Sequence, residues 1–165
     1  MEKHTAYISA GSNIGDKLLN CKKGISDLAG SGAAVIKAWS RFYKTSPVDY
    51  KDQDWFVNAA VKIETELDPS DLLKEMFSIQ TKAGRRFDTV RFGPRILDLD
   101  IILYDSAIVN SPGLTIPHPR MHKRRFVLEP LCDIDPAVVH PVLKKNLKCL
   151  LDSLDDDEQK TVVCA

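Results

Sequence analysis

Residues 97–104, Leu-Asp-Leu-Asp-Ile-Ile-Leu-Tyr, set the strictest limit on how this chain can fold. A β-strand sends successive side chains to opposite faces. Leu97, Leu99, Ile101 and Leu103 are therefore expected on one face and Asp98 and Asp100 on the other, with Ile102 and Tyr104 continuing the acidic face as apolar positions. Such a strand should sit well inside the protein. Two like charges near a core repel and lose hydration unless cations offset them. Residues two apart on a strand lie about 7 Å apart, and from that spacing two carboxylates can reach a pair of metal ions about 3.5–4 Å apart. The plainer alternative is a core strand whose acids pair with local arginines.

Arginines are close at hand. Arg91 and Arg95 lie just upstream in Arg91-Phe-Gly-Pro-Arg-Ile-Leu-Asp98, and Arg85 and Arg86 precede them. Hard cations held by carboxylates and ringed by guanidinium groups suit a polyphosphate. The chain has neither G-x-x-x-x-G-K-[ST] nor a G-x-G-x-x-G after a strand. If it binds a nucleotide, side-chain cations and metal ions must hold the phosphates.

The 23 basic and 23 acidic residues cancel, which argues against a general nucleic-acid or membrane surface. No apolar run approaches the roughly 18 residues of a membrane helix, and the first residues have no apolar signal core. Cys21, Cys132, Cys149 and Cys164 show no C-x-x-C spacing. They read as reduced thiols of a cytoplasmic protein. The acid run Asp155-Asp-Asp-Glu158 reads as a solvated tail.

A length of 165 residues suits a single domain spanning 1–165. A strand is expected at 5–10, closed by Gly11-Ser-Asn-Ile-Gly15. A helix at about 16–29 follows, with Leu18, Cys21, Ile25 and Leu28 on one face and Gly30 as its stop. A second strand covers 33–43. The polar stretch 44–54 is long for a loop, and loops of that length tend to be functional. A strand at 55–67 sets Phe56, Asn58, Ala60 and Lys62 against Val57, Ala59, Val61 and Ile63. Asp68-Pro-Ser-Asp71 starts a helix running to about 83, with Leu72, Met76, Ile79 and Ala83 on one face. A second long loop covers 85–95 before the acidic strand. Short pieces follow: a strand at 108–110, an irregular link Thr115-Ile-Pro-His-Pro119, and helices at 121–131 and 146–153. Strand–helix–strand–strand–helix–strand is the ferredoxin-like order. The expected class is α+β, an αβα sandwich whose mainly antiparallel sheet carries packed helices.

At this point the residues resemble a known family. Arg91-Phe-Gly-Pro-Arg-Ile-Leu-Asp-Leu-Asp-Ile is similar to the signature of the 6-hydroxymethyl-7,8-dihydropterin pyrophosphokinases of folate biosynthesis. Ala10-Gly-Ser-Asn13, Phe42-Tyr-Lys-Thr-Ser-Pro47, Asn58-Ala-Ala-Val61, Gly84-Arg85, Ile116-Pro-His118 and Arg124-x-Phe126 resemble that family's other landmarks, in its order, over nearly the whole chain. The resemblance implies transfer of the β,γ-diphosphate of ATP, the co-substrate, onto the hydroxymethyl group of the reduced pterin, with release of AMP. It implies two Mg2+ ions on Asp98 and Asp100, and catalytic roles for Arg85, Arg95 and Arg124 beside those acids. Asp100 is a candidate to draw the hydroxyl proton. ATP contacts are implied for Gln80, Arg85, Arg95, Ile101, Thr115, His118 and Arg124. Pterin contacts are implied for Thr45, Pro47, Val48, Phe56, Asn58, Asp98 and Phe126, since a flat ring with a donor–acceptor edge needs stacking faces and an amide. The small-molecule substrates would be the partners of a monomer, with no nucleic acid or membrane involved.

The chain departs from the family pattern in three places. Gln80 stands where many members carry an acid. The usual Gly-Arg-x-Arg becomes Gly84-Arg-Arg-Phe87. Phe92 stands where tryptophan is frequent. A non-catalytic ATP or pterin sensor on the same scaffold is therefore the alternative reading. A ferredoxin-like RNA-binding domain is disfavoured by the neutral charge and the lack of an RNP-like aromatic strand.

Overall fold

The computed structural model describes residues 1–48, 50–84, 94–155 and 159–164. Its elements are β1 (His4–Ser12), α1 (Lys17–Gly30), β2 (Val35–Trp39), β3 (Tyr43–Thr45), β4 (Phe56–Thr65), α2 (Pro69–Lys82), β5 (Asp98–Tyr104), β6 (Val109–Ser111), β7 (Leu114–Ile116), a 3-10 turn (Met121–Lys123), α3 (Arg125–Ile134), α4 (Leu147–Asp152) and β8 (Thr161–Val163). The main sheet runs β5-β1-β4-β3-β8, with β2 also paired to β4. These pairings are antiparallel. With β2 and β3 sharing one edge of β4, this is the ferredoxin-like strand order, and the expected α+β class holds.

Local chemistry explains the two long helices. The Asp16 carboxylate accepts from the Leu19 N–H, and the Asp68 carboxylate from the Asp71 N–H with Pro69 behind it. Each satisfies an otherwise orphaned helix amide, worth about 1 kcal/mol. α1 and α2 cover one face of the sheet, where Ile8, Ile25, Leu28, Ile63, Leu72, Met76, Leu97 and Leu99 form a dry core. A Cβ at Gly24 would sit 2.7 Å from Leu97 Cδ2, so glycine is what lets α1 lie against the start of β5. α3 and α4 cover the other face over a second core that includes Tyr7, Ile102, Leu103, Met121, Leu128, Leu131 and Leu147.

Several expectations need correction. The single strand at 33–43 is two, β2 and β3, broken at 40–42, so the polar loop starts at Ser46 rather than Lys44. The irregular link at 115–119 begins inside β7, which pairs with β6 as a hairpin. The helix at 121–131 is a 3-10 turn and then α3, interrupted by Arg124 in extended backbone. Leu103 and Tyr104 exchange the faces expected of them. The β1–β5 register steps from Tyr7↔Leu103 to Ile8↔Ile101, a β-bulge that leaves Ile102 extra and reverses the alternation beyond it. Leu103 therefore joins Ile102 under α3, while Tyr104 joins Leu99 and Ile101 under α2. Residues 97–101, with both acids, lie before the bulge and keep the expected alternation.

Candidate functional site

The acids stand where helix cover thins. Directly paired residues share a face, so Asp98, Gly11, Asn58 and Tyr43 form one row across β5, β1, β4 and β3. Asp100, Ser9 and Ala60 form the next row. Both rows lie on the α3 side. Asp98 and Asp100 are half-buried, whereas Asn58 is 5% exposed. Asn58 Nδ2 donates to Thr45 Oγ1 at 2.6 Å, which fixes the amide flat along the sheet. A Cβ on Gly11 would lie 2.5 Å from Asn58 Oδ1. Gly11 is thus the space that Asn58 occupies. Sequence reasoning noted Gly11 only as a landmark, and its role depends on cross-strand register, which no short motif encodes.

Two segments converge on the end of β1 through Asn13, which is 4% exposed. Its N–H donates to Arg95 O at 3.0 Å, and its Oδ1 accepts from the Arg95 N–H at 2.8 Å. Its Nδ2 donates to Gln53 Oε1 and to Asp54 O. One asparagine therefore anchors the residue just before the acidic strand and the end of the β3–β4 loop. Pro47 and Val48, at the other end of that loop, are half-buried, as is Phe56, which pairs with Thr45.

His118 follows the cis Ile116–Pro117 peptide, and its N–H donates to Ile102 O at 3.0 Å. Its Nδ1 accepts from the Arg120 N–H, which leaves the ring proton on Nε2. Burial and the nearby Arg124 and Arg120 guanidinium groups push its pKa down to about 4, against an opposing pull from Asp98. The ring is therefore neutral near pH 7 and offers one N–H. Arg124 itself lies 5.3 Å over the Phe126 ring. Phe126 packs partly against the second core. Thr115 is exposed on β7.

Two of the residues implied at ATP, Ile101 and Gln80, lie on the α1–α2 side of the sheet. Ile101 is buried in the core under α1 and α2, which leaves its main chain as the part able to meet a ligand. Gln80 is 4% exposed. Its Oε1 accepts from the Leu99 N–H at 3.1 Å, and its Nε2 donates to Met76 O. It therefore grips the outer edge of β5 between the two acids. Arg85, Arg86 and Phe92 lie outside the described residues.

Beyond this region α3 is fastened by charge. Asp133 accepts from Arg41 and from the Tyr43 hydroxyl, and Lys62 pairs with Asp135 at 2.8 Å. Burial alone would raise the Asp133 carboxyl, but Arg41 and Tyr43 outweigh it and hold it below the ordinary carboxylate range. Among the described residues no group of three or more His, Cys, Asp or Glu side chains could hold a metal ion. The cation-binding candidates are then the two acids with oxygens from a ligand. No described helix is long and apolar enough to cross a membrane.

Comparison with known proteins bears on the family and the fold. Residues 7–136 match the family model described as 7,8-dihydro-6-hydroxymethylpterin-pyrophosphokinase (HPPK). The chain is 38% identical over 163 residues, 99% of its length, to the folic acid synthesis protein fol1 of Pneumocystis carinii, but covers 22% of that protein. It thus spans about a fifth of the length of the fungal relatives it matches. It is 42% identical to the 2-amino-4-hydroxy-6-hydroxymethyldihydropteridine pyrophosphokinase of Methylorubrum extorquens, over 81% of this chain and 84% of that one. The Bacillus subtilis protein of the same name is 43% identical, over 78% of this chain and 77% of that one. A crystal structure of Plasmodium falciparum HPPK-DHPS with pteroate superposes with a TM-score of 0.73 at 15% identity, covering 92% of this chain and 42% of that one. That likeness is one of fold.

Proposed function

Because the chain belongs to the 7,8-dihydro-6-hydroxymethylpterin-pyrophosphokinase family, we propose that it transfers the β,γ-diphosphate of ATP to the hydroxymethyl group of 6-hydroxymethyl-7,8-dihydropterin, releasing AMP, in folate biosynthesis. The observation that carries the reading is the row Asp98–Gly11–Asn58, with Asp100 beside it. It sets a phosphate-handling acid pair and a rigid amide on one face, two strands apart.

Each residue then has a task. Asn58, held by Thr45 and seated over Gly11, presents its remaining amide capacity to the donor–acceptor edge of the pterin. Phe56 and Phe126 offer aromatic faces for the ring, with Pro47 and Val48 as apolar contacts. His118 donates one neutral N–H to a phosphate oxygen. Thr115 would add a hydroxyl to the nucleotide. Arg95 and Arg124, with Arg85 from the loop, stabilise charge developing at the transferred phosphorus. Gln80 and the main chain of Ile101 act on the nucleotide side through the edge of β5.

The half-buried acid pair fits Mg2+, which commonly binds through one or two carboxylates plus substrate phosphates. When bound, such ions neutralise phosphate charge and hold attacking and leaving oxygens in line. Two ions, which Asp98 and Asp100 would hold, are the number we infer. Asp100 would also draw the hydroxyl proton. The enzyme is read as a monomer in a reducing cytoplasm, in keeping with four free cysteines.

The test is to mix the protein with ATP, Mg2+ and the hydroxymethyl dihydropterin and to identify the nucleotide formed. AMP in proportion to pterin consumed supports the reading. ADP, or no turnover with both ligands bound, overturns it.

A further inference from the structure

Residues 159–163 belong to neither core. Among residues 159–163, Val162 is 57% and Val163 44% exposed, yet the segment is rich in specific hydrogen bonds. These run to two elements that each carry or adjoin residues of the pterin region proposed above. On one side, β8 pairs with β3 (Lys44↔Val162, Thr45↔Thr161). Ser46 N–H donates to Lys160 O, and Lys160 N–H donates to Ser46 Oγ, both at 2.9 Å. On the other side, Gln159 Oε1 accepts from the Arg125 N–H at 2.8 Å, and Gln159 Nε2 donates to Lys123 O at 2.9 Å. One turn along α3, Thr161 Oγ1 donates to Glu129 Oε2 at 2.7 Å.

The Gln159 bonds meet a local need. α3 begins after Arg124, whose side chain makes no capping bond, because a guanidinium has no acceptor to offer. The first helix amides need acceptors from outside. Gln159 supplies one, and with its other end it takes the carbonyl on the far side of Arg124. The amide thus brackets Arg124, at the point where the 3-10 turn gives way to α3. It sets the direction in which Arg124 and, two residues on, Phe126 leave the backbone.

We propose that Gln159 is a positioning residue for the pterin subsite, and that residues 159–163 form a strap joining the Thr45–Ser46 corner to the start of α3. The strap lies beyond residues 7–136, the part that matches the family model. It rests on the assignment of Thr45, Arg124 and Phe126 to substrate made above.

The experiment uses the full chain with Gln159→Ala and Gln159→Glu. A glutamate keeps the acceptor for Arg125 and loses the donor to the Lys123 carbonyl. Loss of this part-buried hydrogen-bond partner is expected to lower kcat/KM for the pterin about tenfold in Gln159→Ala. Gln159→Glu should fall between this variant and wild type. The ATP dissociation constant should rise by less than the pterin kcat/KM falls, since of Arg124 and Phe126 only Arg124 is assigned to the nucleotide. In parallel, hydrogen exchange at the Arg125 amide should speed up in Gln159→Ala. Wild-type kinetics in both variants would overturn the proposal, as would a lowered Tm with an unchanged pterin kcat/KM. If wild type releases no AMP while the Arg125 amide is still freed by Gln159→Ala, the activity assignment fails and the strap stands as a structural clamp only.

Discussion

The two faces of the sheet are built from the same strands but do opposite things. Under α1 and α2 the face is continuous and apolar from Ile8 to Leu99, and burial holds it. Under α3 the face divides. Tyr7, Ile102 and Leu103 continue a core, and the remainder carries Asp98, Asp100, Asn58 and Thr45. α3 is tied down at its far end by Asp133 to Arg41 and Tyr43, and by Asp135 to Lys62. Charge and hydrogen bonds secure that end, so the start of the helix can stand over polar ground. The contrast teaches that one strand can serve stability and chemistry at alternate residues with little compromise between them.

The strongest test of that separation lies within β5. Asp98→Ala and Asp100→Ala should each cut turnover by about a thousandfold or more, by analogy with removal of a main charge-stabilising group, with Mg2+-dependent ATP binding weakened and Tm nearly unchanged. Leu99→Ala, between them, should cost about 2–5 kcal/mol of stability as a buried leucine truncation, read by urea unfolding. If the aspartate variants unfold, or the leucine variant is stable, the two faces are not separate.

A smaller effect is expected at the boundary. Gly11→Ala pushes a methyl into Asn58 Oδ1 and should weaken pterin binding about tenfold, the scale of one disturbed buried hydrogen bond. ATP binding, measured by calorimetry, should be spared. Equal loss for both ligands would show that Gly11 matters to the fold instead.

The last effect is pH-dependent and concerns stability alone. With its folded pKa near 4 and an unfolded value near 6.5, His118 binds more protons in the unfolded state between those limits. Its contribution to stability therefore falls as pH drops from about 6.5 towards 4 and is flat above. Comparing the pH dependence of Tm for wild type and His118→Gln isolates it. Parallel curves over that window would place the ring in water.

Most of the scaffold was readable because it rests on local rules. The Asp68-Pro start, the faces of both long helices and the alternation of Asp98 to Ile101 follow from capping and periodicity, and all three stand. What escaped the sequence is non-local. A bulge opposite Tyr7 decides where Leu103 and Tyr104 point, and nothing in Ile-Ile-Leu-Tyr announces it. β8 is three residues after an acidic run, and only its partner β3 makes it a strand. Arg124 interrupts the predicted helix at 121–131, where no glycine or proline marks a break. At the site, the residues taken from the resemblance gather at one end of the sheet for the most part. Gln80 and the Ile101 side chain lie on the other face, where α2 and the core beneath α1 and α2 hold them. Asn13 went unweighted, since its partners lie 40 and 82 positions away.

Asn13 carries a consequence of its own. Because a single side chain fastens both the Arg95 segment and the tail of the β3–β4 connector, neither piece can be exchanged with a relative's version in isolation. A graft of one must preserve the asparagine's grip on the other, and a small molecule that prised Gln53 loose would disturb the arginine end without ever touching it.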